Sequence, residues 1–171
     1  MAPENPYSED STAVEEPDLT RAWVRTARAK LRFELAGLAF AVRHGFTPEE
    51  YARELWGRGG TGWIGKKNPT AAEYILKEVE AVKALTPEIK FQMEQLGDDV
   101  ARLRFVVGCL GGYGKSRWGT ALSLGLTPPQ VCSYCQESFQ VWTGPLSVEA
   151  RPQIQPDETC VFTVRRRAPG S

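Results

Sequence analysis

The chain has 171 residues with a formal net charge of zero, 42% hydrophobic and 25% charged, which is long enough for one domain with a buried core. Its charge is uneven: the first 18 residues hold six acidic side chains and no Lys or Arg, leaving 21 basic against 15 acidic groups beyond them. That excess falls short of the basic stripe of a nucleic-acid binder, and the longest apolar run, 35–42, is too short to cross a bilayer.

Residues 1–17 are acidic, carry Pro3, Pro6 and Pro17 and lack an apolar period, so they read as a disordered leader. Residues 18–167 read as a single domain and 168–171 as a tail. No apolar stretch follows a basic start, so no secretory signal is read, and a cytoplasmic setting with reduced thiols is expected.

Asp18 is positioned to cap a long helix running to about His44 and stopping at Gly45. Val24, Ala27, Leu31, Leu35, Leu38 and Val42 recur along it at helical spacing. Arg21, Arg25, Arg28, Lys30 and Arg32 load its first half with positive charge, while the second half is almost wholly apolar, as in a buried helix. Glu34 is the sole acid between Asp18 and Glu49. It either pairs with Lys30 one turn back or is a buried carboxyl of the kind that serves as acid or base. His44, the only histidine, reads first as a charge at a helix C-terminus.

Thr47-Pro48-Glu49-Glu50 is a capping box with proline at the first helical position, opening a helix to about Trp56. The Gly-rich loop 57–65, which carries Trp63, reads equally as a surface loop or as a lid. A second capping box, Thr70 to Glu73, starts a helix to about Leu85. From Ile89 the period changes to two, and after Gly97-Asp98-Asp99 it resumes at Leu103, Phe105 and Val107, predicting a hairpin with one buried face.

The stretch from Gly108 to Ser116, between a strand and a short helix over 116–124, looks like a P-loop. That motif requires glycine where Cys109 stands, and the strands around it look antiparallel. Nucleotide binding is therefore set aside. Thr127-Pro128-Pro129-Gln130 opens a helix ending near Trp142, and strands over 146–154 and 160–166 follow. The order predicts an α+β fold, with N-terminal helices followed by a ββααββ unit and an antiparallel four-stranded sheet.

All four cysteines lie in the last third of the chain, at Cys109, Cys132, Cys135 and Cys160. Cys132 and Cys135 are three apart on one helix, about 60° around its axis, so both sulfurs can face one site. Cys135 falls on the apolar stripe Val131, Cys135, Ser138/Phe139 and Trp142 and reads as a small buried hydrophobe. Cys132 sits at the stripe's edge, placed to look toward a pocket. One Cys-x-x-Cys alone is a weak signal for zinc or redox work. Cys109 and Cys160 read either as core residues or as further members of a thiol site.

From 107 to 166 the pattern is a strand ending at Cys109, Val131-Cys132-Ser133-Tyr134-Cys135 on a helix, then Pro156-Asp157-Glu158-Thr159-Cys160-Val161-Phe162. This resembles the L-2-amino-thiazoline-4-carboxylate hydrolase family. It is similar, more distantly, to the vinyl-reductase-type ligand-binding domains of bacteriochlorophyll synthesis proteins and phenol-sensing regulators. The first resemblance implies opening of a cyclic amino-acid-like substrate at a C–N or C–S bond without a cofactor. Cys132 is then the reactive thiol, Cys160 and Cys109 stand near it, and Glu34 or His44 is the base. An acid that members of that family show shortly after the helical cysteine is not found at Cys135. The second resemblance implies a small-ligand sensor with zinc on Cys132, Glu149 and Cys160, Cys135 replacing a ligand position that falls on or near Pro152. Both imply a small-molecule substrate or ligand, with neither nucleic acid nor membrane as partner, and leave a homodimer through the long N-terminal helix open.

Overall fold

Every long helix begins where a side chain can satisfy the first unpaired amides. Asp18 accepts from the amides of Thr20 and Arg21, and Glu50 and Glu73 reach back to the amides of Thr47 and Thr70. Gln130 does the same for Thr127. In a computed structural model of the protein these caps open α1 (Leu19–Arg43), α2 (Pro48–Trp56), α3 (Ala71–Leu85) and α5 (Pro128–Thr143). The structure describes residues 18–57, 67–86, 89–107, 118–157 and 159–168. The acidic leader 1–17, Cys109 with the rest of the P-loop-like stretch, and most of the 57–65 loop with Trp63 lie outside those residues.

The remaining elements are β1 (Lys90–Leu96), β2 (Val100–Val107), α4 (Gly119–Ser123), β3 (Val148–Ile154) and β4 (Cys160–Arg166). The strands form one sheet in the order β1-β2-β4-β3, antiparallel at every pairing. The fold is α+β: α1–α3 precede an antiparallel four-stranded sheet, α4 and α5 come between its two hairpins, and α3 and α5 pack on it. Because β2 is antiparallel to both neighbours, it does not provide the parallel strand of a P-loop domain. β3 starts later than its sequence pattern suggests. Leu146 is buried, but its amide bonds to the Thr143 carbonyl and so does not join the ladder. Pro152 is accommodated because β3 is an edge strand.

Alternation sorts the sheet into two faces. Ala101, Leu103, Phe105, Ala150, Phe162 and Val164 are buried on the inner face with Tyr74 and Ile75 of α3 and Phe139 of α5. Arg102, Arg104, Glu149, Arg151 and Arg165 occupy the alternate positions. A second core joins Leu35, Leu38 and Ala39 of α1, Ala52 of α2, Ala121 of α4, and Val131 and Tyr134 of α5. Helix α5 thus belongs to both layers. An Arg53–Glu137 ion pair at 2.8 Å helps hold α2 against it. Gly37 lets α2 approach α1, since a Cβ there would lie 2.4 Å from the Tyr51 hydroxyl oxygen. No helix among the described residues is long and apolar enough to cross a membrane.

Candidate functional site

Between the two cores, α1, α3 and α5 leave a cavity of about 330 Å³, with Trp56 of α2 on its rim. That volume lies at the lower end of the roughly 300–1,000 Å³ typical of small-molecule sites. A cavity of roughly 150 Å³ holds benzene, so this one has room for a two-ring molecule. Its wall is largely Ala27, Leu31, Leu35, Val82, Val131 and Phe139, interrupted by a few polar groups.

One polar group is a relay at the α1 side. Tyr134 donates to Glu34 Oε1 at 2.8 Å, Trp56 Nε1 donates to the Tyr134 hydroxyl at 3.1 Å, and Lys30 Nζ meets Glu34 Oε2 at 3.1 Å. Both oxygens of Glu34 are therefore engaged. Burial, and then the adjacent Glu34 carboxylate, push the Tyr134 phenol far above its ordinary pKa. Tyr51, stacked near Tyr134, moves the same way for the same two reasons in the same order.

The α3 side is different. Glu78 is only 4% exposed, and among the described residues its Oε2 has no hydrogen-bond partner. Burial alone pushes its carboxyl pKa up to about 8, so it keeps its proton at neutral pH. The indole Nε1 of Trp142, on the α5 wall, is likewise buried without a hydrogen-bond partner among the described residues. The Trp142 ring is fixed edge-on against Trp56 at 5.0 Å and Phe139 at 4.9 Å. A donor and an acid thus belong to residues that line the cavity, each with a buried polar atom that has no partner among the described residues.

The structure divides the residues expected from sequence. Glu34 pairs with Lys30 and also lines the cavity. Cys135 lines it too, whereas Cys132 is half-buried elsewhere on α5. The apolar stripe of α5 is the face that meets the cavity, and Cys132 lies off it. Cys160 opens β4, opposite Phe105 and Ile154, and packs against the sheet core. His44 is exposed at the end of α1, with Nδ1 2.8 Å from the Phe40 carbonyl and its ring stacked on Phe40. Cys109 lies outside the described residues. Cys132, Cys160 and His44 do not share the cavity with Glu34.

The expected zinc ligands are not gathered either. Glu149 pairs with Arg165 at one end of the β3–β4 ladder, and Cys160 pairs with Ile154 at the other. Five residues of strand separate them, roughly 17 Å. Alternation also puts Cys160 on the face of Phe162 and Glu149 on the opposite one. Its carboxylate engages Arg151 instead. Among the described residues no three His, Cys, Asp or Glu side chains are grouped to hold a metal. The set Cys132, Cys135, Glu149 and Cys160 therefore does not fit one ion.

No protein-family model matches the chain, and no curated protein matches it. A crystal structure of an Fe(II) unliganded H-NOX protein mutant from K. algicida is similar at 10% identity and a TM-score of 0.35. The match covers 72% of this chain and 60% of that one. So distant a likeness says nothing about function.

Sequence reasoning passed over Glu78 and Trp142. Glu78 did leave a signal: it interrupts the α3 stripe of Ala71, Tyr74, Ile75 and Val82 at a position where helical spacing calls for an apolar side chain. Trp142 was on the apolar stripe of α5, but nothing in the sequence marks an indole whose N–H lacks an acceptor.

Proposed function

We propose that the chain is a small-ligand-binding domain, holding a mainly apolar organic molecule between α1, α3 and α5. The observation that carries this reading is a mainly apolar cavity whose lining includes Glu78 and Trp142, each with a buried polar atom, Oε2 and Nε1, that has no partner among the described residues. Each buried unsatisfied group costs about 1–3 kcal/mol, and a ligand with matching groups offsets that cost. This is the sensor-type alternative of the sequence reading without its zinc. Two-ring aromatic compounds should raise the melting temperature. Ala81→Trp, which fills the cavity from α3, should abolish that response while circular dichroism stays unchanged. A response that survives the filled cavity would place binding elsewhere.

A second reading, a thiol enzyme resembling the thiazoline-carboxylate hydrolases, is favoured by one observation: Cys135 lines the same cavity as Glu34 and Glu78. In that reading Cys135 takes the role expected of Cys132, and a cavity carboxylate serves as base.

A further inference from the structure

The ionisable groups around the cavity are few and lopsided. Helix α1 contributes Lys30 and Glu34, α3 contributes Glu78, and α5 contributes Tyr134 and Cys135. Tyr74 stands one turn before Glu78 on α3, close enough for a charge there to push the Tyr74 phenol further up, after burial. The only cation of the lining among the described residues, Lys30, is paired with Glu34 at 3.1 Å. Glu78 therefore lines the cavity with no cation paired to it among the described residues.

We propose that the cavity takes a hydrophobic organic cation, an aromatic amine with an ether, hydroxyl or carbonyl oxygen, and that Glu78 is its counter-ion. This deepens the small-ligand reading and rests on it. The Glu34 carboxylate, joined by Glu78 once that group has given up its proton, opposes an anionic ligand, because a like charge in a low-dielectric site is strongly disfavoured. An ammonium supplies what Glu78 Oε2 lacks, a charged donor. The ligand oxygen meets the other unmet need by accepting from Trp142 Nε1. Aromatic rings complete the fit: Trp56, Tyr134, Phe139 and Trp142 all line the cavity, and ring faces attract cations.

The buried acid gives this reading a signature. Glu78 holds its proton up to about pH 8, so an arriving ammonium must displace that proton. Binding at pH 7 releases about one proton, and affinity rises by up to about tenfold per pH unit until Glu78 is ionised in the empty protein.

Calorimetric titration with a matched set tests it: 2-(1-naphthyloxy)ethylamine, 2-(1-naphthyloxy)ethanol and (1-naphthyloxy)acetate, each in two buffers of different ionisation enthalpy. The expected result is an amine bound at least about tenfold more tightly than the alcohol, the acid bound most weakly, and a proton released with the amine only. Glu78→Gln should erase both the preference and the proton release. If that variant does not fold, the proton count on the unaltered protein decides. An alcohol bound as tightly as the amine, or an amine bound without proton release, overturns the cation proposal and leaves the ligand-binding reading standing. No binding by any of the three overturns both.

Discussion

The two carboxyl groups of the cavity occupy opposite walls and have been treated oppositely by the fold. Glu34 has a partner on each oxygen, Lys30 on one and Tyr134 on the other. Glu78 sits deeper, with one oxygen unbonded among the described residues and its pKa pushed up to about 8 by burial alone. A fold that merely needed a filled core would place an aliphatic side chain at Glu78, between Tyr74 and Val82 on the buried face of α3. The contrast teaches that the carboxylate of the α1 wall is satisfied within the fold, whereas that of the α3 wall leaves an oxygen without a partner among the described residues, the need that the proposed ligand would meet.

The sharpest way to break the comparison is through pH. Unfolded, Glu78 ionises near its ordinary value of 4.5; folded, it does so near 8. Between these values the unfolded state binds fewer protons, so stability falls as pH rises, by about 1.4 kcal/mol per unit at most. On the order of 4 kcal/mol should be lost between pH 5 and pH 9, with no further loss from this group above that window. Urea unfolding should show the decline in the natural protein and a nearly flat profile in Glu78→Gln. Parallel profiles would mean that Glu78 is not the buried acid described.

Tyr134→Phe should have a smaller effect. It removes the phenol from Glu34 and leaves Trp56 Nε1 without its acceptor, for a loss of about 2 kcal/mol in the same urea assay. The smallest effect belongs to Lys30→Ala. Half of the Lys30 side chain is exposed, so solvent screening holds the loss to about 0.5 kcal/mol. A loss from Lys30→Ala as large as that from Tyr134→Phe would show that charge pairing, and not the phenol bond, completes the α1 wall.

Much of the architecture was legible in the chain because its signals are local. The boxes at Thr47, Thr70 and Thr127 fix where helices start, and the alternation of Leu103 and Phe105 fixes which sheet face is buried. The cavity was legible only in part. Glu34 announced itself as a lone acid on an apolar half-helix. Cys135 was visible as an apolar-stripe residue, but which stripe fronts a cavity and which fronts a filled core depends on how α1 and α3 sit against α5, which no local pattern encodes. The clustering of cysteines in the last third misdirected the reading for the same reason. Cys132, Cys135 and Cys160 are near in sequence, yet the sheet sends Cys160 to its own core and separates it from Glu149 by a strand's length.

A ligand in the cavity should reach the Trp142 indole, whose Nε1 has no partner among the described residues, and the indole N–H signals of ¹⁵N-labelled protein read that directly. Trp23 provides the control, since its Nε1 already donates to the Ala84 carbonyl at 2.7 Å. On titration with 2-(1-naphthyloxy)ethanol the Trp142 indole resonance, assigned with Trp142→Phe, should shift toward that of a hydrogen-bonded N–H while the Trp23 signal holds still. A Trp142 signal that stays in place, or one that moves no more than that of Trp23, would contradict the account.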